Sequence, residues 1–286
     1  MNADPRPAQL SGRRVLVTGG SMGIGLEVSR ELARRDARVV VAARGADAVN
    51  HAVAGLAGSG HHGLILDVSD PAAWESGMEA IDEQGPLHGL VTAAGILGPI
   101  GPLDELPPEA LLATVAVNLV GTMLALRYSL PRLRATRGRA VTFSGGGGTA
   151  PLARYDAYAA SKAAVVRLTE NVAGSTDIEL NSVAPGFVVT RMHDETLRAG
   201  PQAAGEAYHE RTRAQVAEGG FPAGEAAALV CFLLSDAAAG ISGRLLSAQW
   251  DQWRDGEFLD RLRADENLAT LRRIDGVFFG PIGSAP

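Results

Sequence analysis

The chain has 286 residues, 46% hydrophobic and 20% charged, a balance that suits a folded globular protein and excludes a disordered one. A net charge of −6 leaves no basic footprint for nucleic acid. A single cysteine, Cys231, excludes an intrachain disulfide, and its apolar run (229–234) reads as a buried thiol in a reducing, cytoplasmic setting.

In chain order, residues 1–14 are polar and contain proline, so no signal peptide is expected. Short runs rich in Val, Leu and Ile then predict strands over 14–18, 38–42, 63–66, 89–93, 140–143, 179–183 and 244–248. Between them, helical patterns cover 25–35, 46–57, 71–83, 108–135, 155–173 and 223–235. No run approaches eighteen consecutive apolar residues, so no membrane span is expected. Strand–helix alternation of this kind predicts an α/β fold: one domain with a doubly wound parallel sheet of about seven strands and helices on both faces. Two segments break the alternation. Residues 187–220 read as a long loop rich in Ala, Gly and charge, which in a compact domain suggests function. After residue 248 comes a tail with Trp250 and Trp253, an amphipathic stretch at 258–271, and Phe278-Phe279.

The chemistry-bearing residues start where the first strand ends, in Thr18-Gly19-Gly20-Ser21-Met22-Gly23-Ile24-Gly25. Glycines there let the backbone approach a pyrophosphate, and the helix N-terminus that follows stabilises its charge. Of the 26 cationic Lys and Arg residues only Lys162 is lysine, four residues after Tyr158, so a helix puts phenol and ammonium on one face. His61-His62 suggests a metal on composition alone, but adjacent strand residues point to opposite faces, and no metal site is expected.

In order and spacing these segments resemble the short-chain dehydrogenase/reductase family, from about residue 12 to 243. The resemblance implies a Rossmann-type domain over 10–250 with a substrate lid at about 187–220, and a C-terminal extension, 251–286, packing on the domain or a partner subunit. It implies cofactor contacts from Gly19, Ser21, Met22, Gly23, Ile24 and Gly25, from Asp67 and Val68 at the adenine, and from Ala93, Ala94 and Gly95. Pro185, Gly186, Val188 and Thr190 are expected at the nicotinamide. Tyr158 is the implied acid/base. Lys162 is expected to lower its pKa and hold the nicotinamide ribose, and Asn118 to anchor a proton-relay water. Tyr155 is the rival tyrosine and is given a minor role. The family's activity is hydride transfer between nicotinamide and a carbonyl or secondary alcohol, and a dimer or tetramer is common in it.

Two positions depart from the family pattern. The family's serine, thirteen residues before the tyrosine, is Gly145 here; either the adjacent Ser144 replaces it across the glycine run 145–148, or no serine acts. Thr92 stands where the family has an asparagine that braces the central strands, and is expected to replace it in part. At the end of the second strand an acid would favour NAD(H), whereas Arg44 favours NADP(H), with NAD(H) still possible. In the lid, Phe187 and Met192 are expected as apolar contacts. His193, His209, Arg191, Arg198 and Arg211 fit either a polar substrate or a solvated helix face. The reading is an oxidoreductase, with association to bacterial secondary metabolism. Its rivals are a nucleotide-sensing protein on the same fold, and a dehydratase or epimerase using the same site.

Overall fold

The computed structural model describes residues 10–273. In chain order it runs β1 (Arg14–Thr18), α1 (Gly23–Arg34), β2 (Arg38–Ala43), α2 (Ala46–Ala54), β3 (His62–Ile65), α3 (Pro71–Glu83), β4 (Gly89–Thr92) and α4 (Pro108–Val115). A five-residue π turn (Ala116–Val120) leads into α5 (Gly121–Thr136), β5 (Arg139–Phe143), α6 (Asp156–Ala173) and β6 (Glu179–Ala184). Then follow α7 (Arg191–Ala204), α8 (Glu206–Ala217), α9 (Ala223–Leu233), β7 (Leu245–Ser247) and α10 (Gly256–Ala264).

The seven strands form one sheet in the order β3-β2-β1-β4-β5-β6-β7, every pairing parallel. Strand periodicity divides the core. Val15 and Val17 of β1 face one side with Val28 and Leu32 of α1, Val49 of α2 and the α9 residues Leu229–Leu233. Leu16 faces the other side with Trp74 and Met78 of α3 and Leu126 and Leu133 of α5. Cys231 is fully buried on the α9 side, and burial pushes its thiol up to about 12, which makes it inert packing.

Chain order reverses between β1 and β4, and in open parallel sheets the crevice beyond the carboxyl ends of such strands is where ligands bind. The glycine loop after β1 and the segment after β4 sit at that end.

Two segments differ from the sequence expectation. The helix expected over 108–135 is interrupted by the π turn, which carries Asn118. With that turn the run spans 29 residues, and its most apolar window has a mean hydropathy of 1.8, long and apolar enough to cross a membrane; its inner face is instead sunk in the domain through Asn118, Ala125, Leu126 and Leu133. The expected loop 187–220 holds two helices, α7 and α8. They form because Thr190 and His193 cap α7 reciprocally, while Gly200 (φ 78°) and Pro201 kink it and obscure its period.

The tail folds back on the α9–β7 edge. Trp253 packs on Phe232 with ring centroids 5.8 Å apart, Leu262 is fully buried, and Leu245 N donates to Ala269 O at 2.7 Å. Trp250 is 78% exposed, and Phe278 and Phe279 lie outside the described residues.

Candidate active site

The glycine loop is a close-packed cradle. Gly19 (φ +67°) and Gly23 (φ +54°) take backbone angles that favour glycine. A Cβ on Gly19 would lie 2.6 Å from Ala94 N, and one on Gly25 would lie 2.3 Å from Gly19 O. The loop therefore seats directly on the segment after β4. No side chain caps α1 and no acid stands in its first turn, so its N-terminal amides point outward with their partial positive charge. This is the donor set a pyrophosphate needs, and the loop fits a dinucleotide cofactor.

Beside it, Asp67 Oδ1 accepts from Ser69 N at 2.9 Å and Ser69 Oγ at 2.7 Å. These bonds, with a smaller contribution from the Arg44 guanidinium, hold the Asp67 carboxyl below its usual range against the opposing effect of burial. Arg44 itself is exposed just past β2, at the mouth of the crevice. Val68 is buried against Gly121, close enough that a Cβ there would meet Val68 Cγ2 at 2.7 Å.

Across the crevice, α6 carries Tyr158 and Lys162. Lys162 is 6% exposed and its Nζ donates to Phe143 O at 3.1 Å. That nitrogen lies 5.8 Å from the Tyr158 ring centroid. A Cβ on Gly95 would approach Lys162 Nζ to 3.7 Å, Asn118 Oδ1 to 3.3 Å and Met192 Cε to 3.9 Å, so Gly95 is the point where the residues after β4, the π turn, α6 and the lid converge.

Asn118 is fully buried. Its Oδ1 accepts from Ile96 N at 2.9 Å, and its Nδ2 donates to Ile96 O and Ser161 Oγ, each at 3.0 Å. Ser161 Oγ in turn donates to Tyr158 O at 2.7 Å. The π turn thereby ties the segment after β4 to α6, and such turns recur at functional sites.

Electrostatics here run against one expectation. Burial pushes the Tyr158 phenol up to about 12, with Tyr208 adding to it, and pushes Lys162 down to about 8. Burial dominates at both groups, which share no hydrogen bond.

Both departures from the family pattern resolve in the geometry. A Cβ on Gly145 would stand 2.5 Å from the Tyr158 hydroxyl, so the phenol uses the room that glycine leaves. Ser144 is buried with its Oγ against Gly148, 2.2 Å from where a Cβ there would be; it forms no bond to Tyr158. Thr92 Oγ1 is buried without a hydrogen-bond partner among the described residues, so it does not take over the bracing expected of it.

The segment expected as a lid packs beside this site. The Thr190 methyl carbon would lie 3.8 Å from a Cβ on Gly23. Gly186 (φ +81°) leaves no room for a Cβ beside Gln249 and the Phe221 ring, and Val188 is buried next to it. His193 is not a solvated residue: its Nδ1 accepts from Thr190 N at 3.2 Å and its ring packs 4.0 Å from that of Phe187. His209 Nε2 bonds Leu197 O at 3.2 Å, α8 to α7. Arg191 pairs with Glu195 on the helix surface. Tyr155 is fully buried, with its hydroxyl donating to Thr196 Oγ1 at 3.2 Å and its ring 5.1 Å from that of Tyr208. Sequence reasoning missed Ser161, Thr196 and Tyr208. The only signal for Ser161 was its place between Tyr158 and Lys162.

The short-chain dehydrogenase family model matches residues 13–200, which include the glycine loop, Asn118, Tyr158, Lys162 and Thr190. The chain belongs to the short-chain dehydrogenase family. Like its family, this short-chain dehydrogenase is an oxidoreductase acting between CH–OH and C=O and using a nicotinamide cofactor. It is 35% identical over 244 residues to cis-4-hydroxycyclohexanecarboxylate dehydrogenase of Sinomonas cyclohexanicum, covering 82% of this chain and 94% of that one. It is 32% identical over 244 residues to D-threitol dehydrogenase of Mycolicibacterium smegmatis, covering 82% and 90%. Among solved structures it is similar to a variant of actinorhodin polyketide ketoreductase with NADPH, at a TM-score of 0.72 and 30% identity, covering 82% and 95%.

Proposed function

We propose that this short-chain dehydrogenase is an NADP(H)-dependent enzyme that interconverts a carbonyl and a secondary alcohol, with Tyr158 as acid/base. The observation that carries the reading is the convergence at Gly95: Lys162 Nζ and Asn118 border it, with Tyr158 on the same face of α6 as Lys162, beside a glycine cradle built for a pyrophosphate.

When bound, the nicotinamide supplies or accepts the hydride. The protein handles the proton. A phenol pushed up to about 12 is protonated at neutral pH, so Tyr158 donates to the substrate oxygen in the reductive direction. Lys162, fixed by Phe143 O, orients the ribose and supplies positive charge beside the phenol. Asn118 acts by holding the segment 95–97 and, through Ser161, the backbone at Tyr158. No serine is assigned to the substrate oxygen, since Ser144 faces Gly148. Arg44 supports NADP(H), because an exposed guanidinium at the end of β2 suits a 2′-phosphate. The exposed apolar residues Leu112, Val120 and Met123 on the α4–α5 run support a homo-oligomer.

The names of the relatives range from a neutral polyol to a hydroxy carboxylate, so they leave the substrate open; likeness to a polyketide ketoreductase supports a place in secondary metabolism. One observation favours a second reading: with Gly145 in place of serine, the fold suits a nucleotide sensor without turnover. Purified protein is assayed with NADPH or NADH against a carbonyl panel, and with NADP+ against alcohols. Turnover with NADPH preferred supports the enzyme; cofactor binding without turnover on any substrate supports the sensor.

A further inference from the structure

A cleft of about 310 Å³ opens between the segment 151–154, just before α6, and the junction of α7 and α8. Its floor is apolar and shared with the active site. Leu152 and Tyr208 line it, and both pack in the cluster that holds Tyr158, Leu97 and Met192. The cleft and Tyr158 thus border one apolar cluster.

Its rim carries Arg154, Arg211 and Glu206, two guanidiniums against one exposed carboxylate. Neither arginine forms an ion pair with a described carboxylate. Arg154 donates Nη1 to Gln202 O at 2.9 Å and Ala203 O at 3.4 Å, which turns it toward the end of α7. It does so from a left-handed backbone (φ 71°), a conformation that costs a non-glycine residue free energy. Arg211 lies over the Tyr208 ring, 5.1 Å from its centroid, so the floor of the cleft also orients its charge. By contrast Arg213, two residues on, is taken up by Glu210 at 2.6 Å.

Two arginines without carboxylate partners, over an apolar floor that adjoins the catalytic tyrosine, form a fork for an oxyanion on a short organic chain. We infer that the cleft takes the anionic end of the substrate: a carbonyl compound bearing a carboxylate or phosphate, its reacting carbon at Tyr158 and its charge between Arg154 and Arg211. The inference rests on the oxidoreductase reading above. Arg154 and Arg211 set its specificity, because a cation-bearing chain meets two like charges there, and they outnumber the one rim carboxylate, Glu206.

The test compares kcat/KM for acetoacetate with ethyl acetoacetate, and for dihydroxyacetone phosphate with dihydroxyacetone, in the full-length enzyme with NADPH. Arg211→Gln is the informative variant, since Arg154 also holds the end of α7; Arg213→Gln is the control. One charge-assisted hydrogen bond corresponds to a preference of about tenfold for the charged member of a pair. That preference is expected in the wild type, lost in Arg211→Gln and kept in Arg213→Gln; the pair that shows it tells carboxylate from phosphate. Equal kcat/KM within both pairs, or a preference that survives Arg211→Gln, overturns the inference and leaves the oxidoreductase reading standing. Where no carbonyl turns over, calorimetric binding of acetoacetate and dihydroxyacetone phosphate decides. Binding lost in Arg211→Gln keeps the cleft assignment, while the missing turnover counts against the proposed function alone; no binding sinks the cleft assignment.

Discussion

Gly145 leaves a space that the Tyr158 hydroxyl uses, since any Cβ there would stand 2.5 Å from the oxygen. Real side-chain carbons do not approach that closely, so a larger residue forces the phenol to move. Misplacing a reacting group by about 1 Å costs about a hundredfold in rate. Gly145→Ser, which reinstates the family's usual residue, is therefore expected to lower kcat by about that factor with the thermal midpoint unchanged. A rise in kcat contradicts the match between glycine and tyrosine. At this scale the sequence was informative about which residues matter and silent about where they point. Spacing placed Tyr158, Lys162 and the glycine loop. The turn of Ser144 toward Gly148 and the orphaned Thr92 hydroxyl depend on contacts of a few ångströms between segments far apart in the chain.

A buried tyrosine joins the start of α6 to α7 and α8. Tyr155 precedes α6, bonds Thr196 of α7 and packs on Tyr208 of α8, a structural part that spacing alone did not show. Tyr155→Phe keeps the ring and removes a bond worth about 1 kcal/mol. The expected outcome is a several-fold rise in KM for the carbonyl with little change in kcat, read by steady-state kinetics. An equal fall in kcat and kcat/KM would place Tyr155 in the chemical step instead. The lid was legible as a functional segment and not as helices, because the kink at Gly200-Pro201 breaks the period and α8 presents only a weak apolar stripe. The sheet was easier. β1 matches its expected bounds and the other strands differ by a residue or two, since apolar runs bounded by turns are a local property.

For the whole molecule, strand order sets the crevice and the tail closes the far edge. Arg244 donates to Leu262 O and Glu266 O, and Arg167 donates to Leu271 O. The tail's amphipathic stretch was visible in sequence, but its partner surface was not, since α9 and β7 are assembled only in the fold. Deleting residues 254–286 removes the fully buried Leu262 and uncovers the apolar surface beneath it. Burying one leucine contributes about 2 kcal/mol, and at this size each kcal/mol is about 2–4 °C in Tm. The truncated protein is expected to melt at least about 4 °C lower by calorimetry. An unchanged midpoint contradicts the packing described.

In the proposed reaction Tyr158 moves a proton while a nicotinamide exchanges hydride with the substrate. The most direct measurement follows NADPH consumption with a carbonyl panel in wild type and Tyr158→Phe, with NADPH affinity measured in both. The account predicts turnover in the wild type, at least about a hundredfold loss in Tyr158→Phe, and similar cofactor affinity in the two. Turnover that survives in Tyr158→Phe would contradict it.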